Sequence, residues 1–328
     1  MRLLLITLLL FATCYARGQY APQAGVAGAT AIKATDSRFV SWGSSCAVKR
    51  GWLDIANKSM GFVTSGDSSN AIGFSDGLTV SLGDSGIAIV SFANALYNGD
   101  GPDFAIFENG FADPSDPNEA FLELGFVEVS SDGVHYFRFP ANDLTSDSVQ
   151  IRAAGDYMDA RKLNNLAGKY TATYGTPFDL QELAGISGLD INNITYIRII
   201  DVIGSVSNNA SYDSAGRKVN DPYPSPFPTG GFDLDAVGAI HMKGAGIPNI
   251  ASSGVSVYPN PVIEKVYITQ SELNMRAILT DISGKVLLQQ TLSNRMNELQ
   301  LGGFRSGVYY LILQNSSGEK WVEKITKL

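Results

Sequence analysis

Two short stretches, far apart in the chain, gather most of the side chains that could do chemistry. Residues 98–111 read NGDGPDFAIFENGF and residues 231–237 read GFDLDAV. The first sets Asp100, Asp103, Glu108 and Asn109 around an apolar tetrapeptide, 104–107, that has the composition of a buried strand. In the second, an extended chain puts Asp233 and Asp235 on one face about 7 Å apart, with Phe232 and Leu234 pointing the other way. Carboxylates crowded beside core strands repel one another unless something neutralises them, and hard oxygen ligands in this number suit Ca²⁺. The expectation is a structural Ca²⁺ site built from Asp100, Asp103, Glu108, Asp233 and Asp235. No continuous EF-hand-like loop is present. The plainer alternative is that Asp100 and Asp103 only form turns and Asp233 ends a strand.

Catalytic signatures are scarce. His135 and His241 are the only histidines, the first on a strand face and the second at the end of a strand without a partner motif. There is no G-x-S-x-G elbow and no H-E-x-x-H, and Cys46 has no flanking signature. Carboxylate pairs for glycoside hydrolysis meet only in three dimensions. Glu108, Glu123 and Glu128 are the residues of that kind, each more simply read as a ligand or a solvated strand residue. The sequence therefore reads as a non-enzymatic protein.

Binding is the better-supported activity. Residues 205–230 form a long segment with Asn208, Asn209, Tyr212 and the run DPYPSPFP at 221–228. A loop of that length in a compact domain is usually functional or mobile. Tyr223 and Phe227, stiffened by the prolines, are read with Trp42 and Trp52 as aromatic platforms for a sugar ring or a planar cofactor. Tyr157 and Tyr174 are further aromatics of this kind. The alternative is that the Pro-rich loop packs its own aromatics.

The elements that must position these groups are strands. Turn triplets recur at 65–67, 75–77, 83–85 and 98–100, and between them run apolar stretches such as LTVSL and IAIVSF. Many short strands with regular turns predict a β-sandwich or jelly roll over residues 19–243. Residues 179–184 form the single plausible helical turn. In "VEVSSDGVHYF", residues 126–130 and 134–139 flank Ser131, Asp132 and Gly133, the chemistry of a tight hairpin. That phrase, with the later "YIRI" at 196–199, resembles galactose-binding-like jelly rolls of the discoidin type. The pairing of "DFAIFENGF" with "GFDLDAVGAI" also resembles an uncharacterised family of bacterial cell-surface proteins. That resemblance implies a binding role and an accessory part in outer-membrane nutrient uptake, with corrinoids among the ligands. It carries no catalytic residues.

Charge and cysteine content narrow the partners. The chain has 328 residues and a formal net charge of −8, which falls to about −10 once Arg2 and Arg17 leave with the leader read below. An acidic surface argues against nucleic acid and against anionic membranes. Only Cys14 and Cys46 are present. Loss of Cys14 leaves no intrachain disulfide, so the core, or core plus metal, must hold the fold.

The termini carry the address. Residues 1–18 have one positive charge and then a short apolar run, the pattern of a secretory signal too short to span a bilayer. No other run of 18 apolar residues follows, so no transmembrane segment is expected. A Gly/Ala/Ser-rich linker, 244–254, leads to residues 255–328, where apolar and polar residues alternate at 255–257 and 266–268 as in half-buried strands. Turn chemistry at 283–285 and 316–318 separates the runs. The pieces "VSVYPNPV", "DISGKV", "SGVYYLIL" and "KITKL" occur in order. Together they resemble the type A C-terminal sorting domain of the Bacteroidetes type IX secretion system. The resemblance implies a small Ig-like sandwich, interaction with the type IX machinery, and delivery to the outer-membrane surface or the medium. Its motif positions fall on Pro259, Asn260, Pro261, Gly307, Tyr309, Lys324 and Lys327.

The whole reads as an all-β, exported binding protein that captures a glycan or small nutrient, with an outer-membrane transporter as a further partner. A structural or adhesive surface protein and a glycoside hydrolase remain the alternatives.

Overall fold

Alternation of apolar residues determines the architecture. In the computed structural model, which describes residues 20–153, 155–244, 255–269, 274–282, 284–315 and 320–328, the regular elements are strands and four short 3₁₀ turns. The expected signal segment 1–18 with Cys14, nearly all of the linker 244–254 and the turn at 316–318 lie outside the described residues. The chain divides into two compact units after Met242.

The first unit is built on two antiparallel sheets. One runs Ile32–Lys33, Tyr174–Phe178, Phe104–Phe107, Ala236–Ala239, Ser41–Trp42. The other runs Phe137–Arg138, Gly125–Ser130, Ile194–Asp201, Ile87–Leu96, Ser45–Lys49, and Leu166–Ala167 adds to its Gly125–Ser130 strand. Phe104 and Ile106 from one sheet meet Val127, Val129, Ile197 and Ile199 from the other in the main core, as in a β-sandwich. Ala105 and Phe107 point the opposite way, into a second apolar cluster with Ile32 and Ala236. The strand Phe104–Phe107 is thus buried on both faces, which is why its sequence is apolar without alternation.

Two local expectations differ in detail. The hairpin at 126–139 is real, with Phe137 opposite Val129, but only Phe137–Arg138 forms its second strand. Asp132 draws the amides of Val134 and His135 to its Oδ1, both at 2.8 Å, so the loop is longer than a two-residue turn. The helical turn is a single 3₁₀ turn, Leu180–Leu183, whose N-cap Asp179 accepts the Gln181 amide.

In the second unit, a three-stranded sheet (Ser256–Tyr258, Lys265–Thr269, Met296–Gln300) and a four-stranded sheet (Val286–Leu292, Met275–Thr280, Gly307–Gln314, Lys320–Lys327) enclose one core. Val266, Ile268 and Leu299 meet Ala277, Leu279, Leu311 and Ile325 there. No helix of the described residues is long and apolar enough to cross a membrane.

Candidate ligand-binding site

The expected carboxylate cluster is split by the strand it surrounds. Asp103 precedes Phe104–Phe107 and Glu108 follows it, so their Cα atoms lie about 17 Å apart along an extended chain. Asp100 is exposed on the preceding loop. Asp103 is fully buried and spent on structure: it accepts the amides of Gly99 at 2.8 Å and Leu180 at 2.7 Å, and pairs with His241 Nδ1 at 2.6 Å. His241 therefore has the partner its sequence context did not reveal. A Cβ on Gly99 would sit 2.4 Å from that imidazole, so only glycine fits there.

Glu108, Asp233 and Asp235 gather at the other end. Phe232 and Leu234 enter the main core, so the alternation of an extended chain turns both aspartates away from it. Asp235 accepts the Ser75 hydroxyl at 2.5 Å; Asp233 accepts the Ser81 hydroxyl and, at 2.8 Å, the Asn109 amide. Glu108 accepts the Gly110 amide through Oε2, while its buried Oε1 has no partner. Burial holds the Glu108 carboxyl well above the usual carboxylate range, and Asp233 and Asp235 add repulsion. Among the described residues, no group of three or more His, Cys, Asp or Glu is arranged to hold a metal ion.

Glu123 completes this end of the molecule. Ala120, Leu122, Leu124 and Phe126 all enter one apolar cluster, which sends Phe121 and Glu123 to the opposite side. There Glu123 and Asp233 look into a cavity of about 230 Å³. Its rim is aromatic: Phe111 lies opposite Phe121 across a strand pair, and their rings stack at 5.0 Å and 14°. Phe227, half exposed, reaches the same cavity from the Pro-rich loop. Tyr157 stands edge-on to Phe111 at 6.4 Å.

Two further buried carboxylates position the cavity walls. Asp221 accepts the Leu124 amide at 2.8 Å, beside Glu123. Asp201 accepts the Phe232 amide at 2.7 Å, beside Asp233, and the Ser85 amide at 3.0 Å. Burial pushes both carboxyls well above the usual range. It does the same to Glu123, where Glu108, Asp233, Asp221 and Asp201 add repulsion. Asp201 and Asp221 carried no sequence signal of this role, because each acts on a residue far along the chain.

The other expected platforms lie elsewhere. Trp42 packs between Phe39 and Phe107 at 5.0 and 5.4 Å as part of the fold. Trp52 stacks on Phe62 at 4.2 Å beneath Lys58. Tyr223 donates its hydroxyl to Asp54 at 3.1 Å. Glu128 is held by Arg138 and Arg198. A larger hollow of about 800 Å³ opens beside residues 145–159, where Arg152 pairs with Asp156 at 2.7 Å and Asp159 is held by Arg161 at 2.9 Å, while Glu119 and Lys162 also line it.

In the second unit, several motif residues lie on the last strand or bond to it, while Pro259 and Pro261 line a hollow beside Tyr267. Asn260 bonds the backbone at Lys324 and Thr326, Gly307 pairs with Lys327, and the Tyr309 hydroxyl donates to Arg305 O at 2.8 Å.

No curated protein matches this chain. Among solved structures, PorZ, an essential bacterial surface component of the type-IX secretion system of Porphyromonas gingivalis, aligns at 13% identity. The alignment covers 81% of this chain and 50% of that one, with a TM-score of 0.21. A β-glucuronidase from Ruminococcus gnavus aligns at 12% identity over 94% and 46%, also at 0.21. The chain spans about half the length of these proteins, and likeness this weak carries no argument about fold or activity. Residues 256–327 match the family model described as the secretion system C-terminal sorting domain, so the C-terminal unit carries the sorting domain of a type IX secretion cargo.

Proposed function

We propose that the protein is a capture protein, exported by the type IX system to the cell surface or the medium, which holds a glycan or small nutrient in the Glu123–Asp233 cavity. The sorting domain supports the address. The cavity supports capture: two buried carboxyls face an opening rimmed by Phe111, Phe121 and Phe227, the mixture of apolar wall and few polar groups usual in small-ligand sites. Delivery of the ligand to an outer-membrane transporter belongs to the same proposal. Of the three glutamates weighed for hydrolysis, Glu108 is sealed and Glu128 is ion-paired, so Glu123 alone lines the cavity, and its pair with Asp233 keeps hydrolysis as the alternative.

The test is calorimetric titration of the exported protein with mono- and oligosaccharides and corrinoids. Saturable binding that weakens in Phe227→Ala supports capture. Adhesion to matrix polymers with no small-ligand binding replaces it with the adhesive reading, and release of reducing sugar replaces it with hydrolysis. Deletion of 255–328 should leave the protein inside the cell.

A second reading, a structural Ca²⁺ on Glu108, Asp233 and Asp235, draws on the unpartnered Glu108 Oε1 alone and requires those carboxyls to move together, since as placed they form no metal-holding group among the described residues. Its signature is a melting temperature that falls in EDTA and recovers with added Ca²⁺.

A further inference from the structure

Glu123 is only 6% exposed, lines the cavity, and accepts no hydrogen bond from the described residues. Its neighbour across the cavity, Asp233, takes donors from Ser81 and Asn109 and pairs with no cation among the described residues. Arg50 is the cation that most influences Asp233, and its guanidinium is committed to the carbonyls of Ser65, Ser81 and Gly66. The Asn109 amide is already given to Asp233. Beyond it the walls offer the hydroxyls of Ser225 and Thr229, the two carboxyls and the aromatic faces, and the carboxyls and faces attract positive charge. Anions are opposed by this lining and by the net charge of −8. A neutral hydroxyl would leave the carboxyls protonated, whereas a cation exchanges for their protons. Calcium needs six to eight oxygens, and no such group is assembled among the described residues.

We infer that this cavity selects a cationic ligand, one that places an ammonium or guanidinium group between Glu123 and Asp233 and its carbon skeleton against Phe111, Phe121 and Phe227. The inference rests on the capture reading and deepens it by naming the charge of the ligand. A cavity of about 230 Å³ admits a head group or a single amino sugar rather than a long chain. The two carboxyls are preorganised for it, since Asp221 and Asp201 fix the backbone beside each of them. The free protein tolerates this crowding because burial favours protonation. An arriving cation replaces the protons.

The experiment is titration of the full exported chain with glucosamine, N-acetylglucosamine and glucose, which share a ring and differ at one substituent. Tetramethylammonium, cadaverine and CaCl₂ are run beside them. Glucosamine should bind at least about tenfold more tightly than the two neutral sugars, because a hydrogen bond between charged partners is stronger than a neutral one. Glu123→Gln and Asp233→Asn should each remove that advantage, with circular dichroism unchanged. Phe227→Leu, at a half-exposed rim position, should weaken every amine and covers the case in which a carboxyl variant fails to fold. Equal binding of the three sugars would overturn the charge inference while leaving capture intact. Binding of neutral ligands but of no amine would do the same. A shift with CaCl₂ alone would overturn it in favour of a metal, and no binding by any probe would overturn both readings.

Discussion

Asn260 grips the last strand next to Thr326: its Oδ1 accepts the Thr326 amide at 2.9 Å while its Nδ2 donates to the Lys324 carbonyl at 2.6 Å. Two sequence motifs at opposite ends of the second unit are thus one contact. Val262 continues the seam, donating to Thr326 O and accepting from Leu328, both at 2.8 Å. Replacing Asn260 with Ala removes two bonds and should cost about 1–2 kcal/mol of local stability. Hydrogen exchange of the 320–327 amides on the full chain measures this. Unchanged protection there would refute the clamp.

Stability of the first unit should fall as pH rises. Burial raises Asp84 from 3.8 to about 6, so the folded state holds a proton that the unfolded chain releases earlier. The associated stability is complete below about pH 4 and is lost as pH climbs through 6. Glu108, Glu123, Asp201 and Asp221 shift the same way and extend the decline. Asp84→Asn keeps the acceptor for the Ile55 amide and should remove about 2–3 kcal/mol of the pH dependence between 4 and 7. Denaturant melts at closely spaced pH values would show it; an Asp84→Asn curve parallel to the wild type would count against the assignment.

Gly231 has φ of +71°, and a Cβ there would lie 2.5 Å from Asp201 Oδ1 and 2.9 Å from Gly83 backbone. Gly231→Ala should therefore destabilise the unit by more than about 2 kcal/mol and displace Asp233 with it. A melt together with ligand titration separates the two effects. Near-wild-type behaviour in both would mean that the backbone here is softer than its packing indicates.

The Cys46 thiol, partly buried beside the main core, is pushed up to about 11 by burial. It should resist a disulfide reagent at pH 8 in the folded protein and react fully in denaturant. Rapid native labelling would contradict that environment.

What the sequence revealed follows the range of the interaction involved. Strands were legible because burial imposes a period of two on neighbouring residues, as at Val266 and Ile268. The facing of Asp233 and Asp235 away from Phe232 and Leu234 is of the same local kind. By contrast, Asp103 meets His241 across 138 residues, and Asn109 meets Asp233 across 124. No local pattern encodes such pairs. Glu123 was visible as a carboxylate between two leucines, yet its cavity exists only because Phe111 pairs with Phe121 and the loop of Phe227 folds over it. The five carboxylates of 98–111 and 231–237 were seen as one group because sequence proximity hides the length of the strand between Asp103 and Glu108.

The strand Phe104–Phe107, walled on both faces, also sets an order of events. Its two partners, Tyr174–Phe178 and Ala236–Ala239, are synthesised well after it, and the second of them close to the end of the unit. Such distant pairing makes closure late and slow. Asp233 stands at the margin of that closure, so the cavity comes into being only when nearly the whole unit has been made. A chain that stops short of Gly231 lacks Asp233 and with it one wall of the cavity.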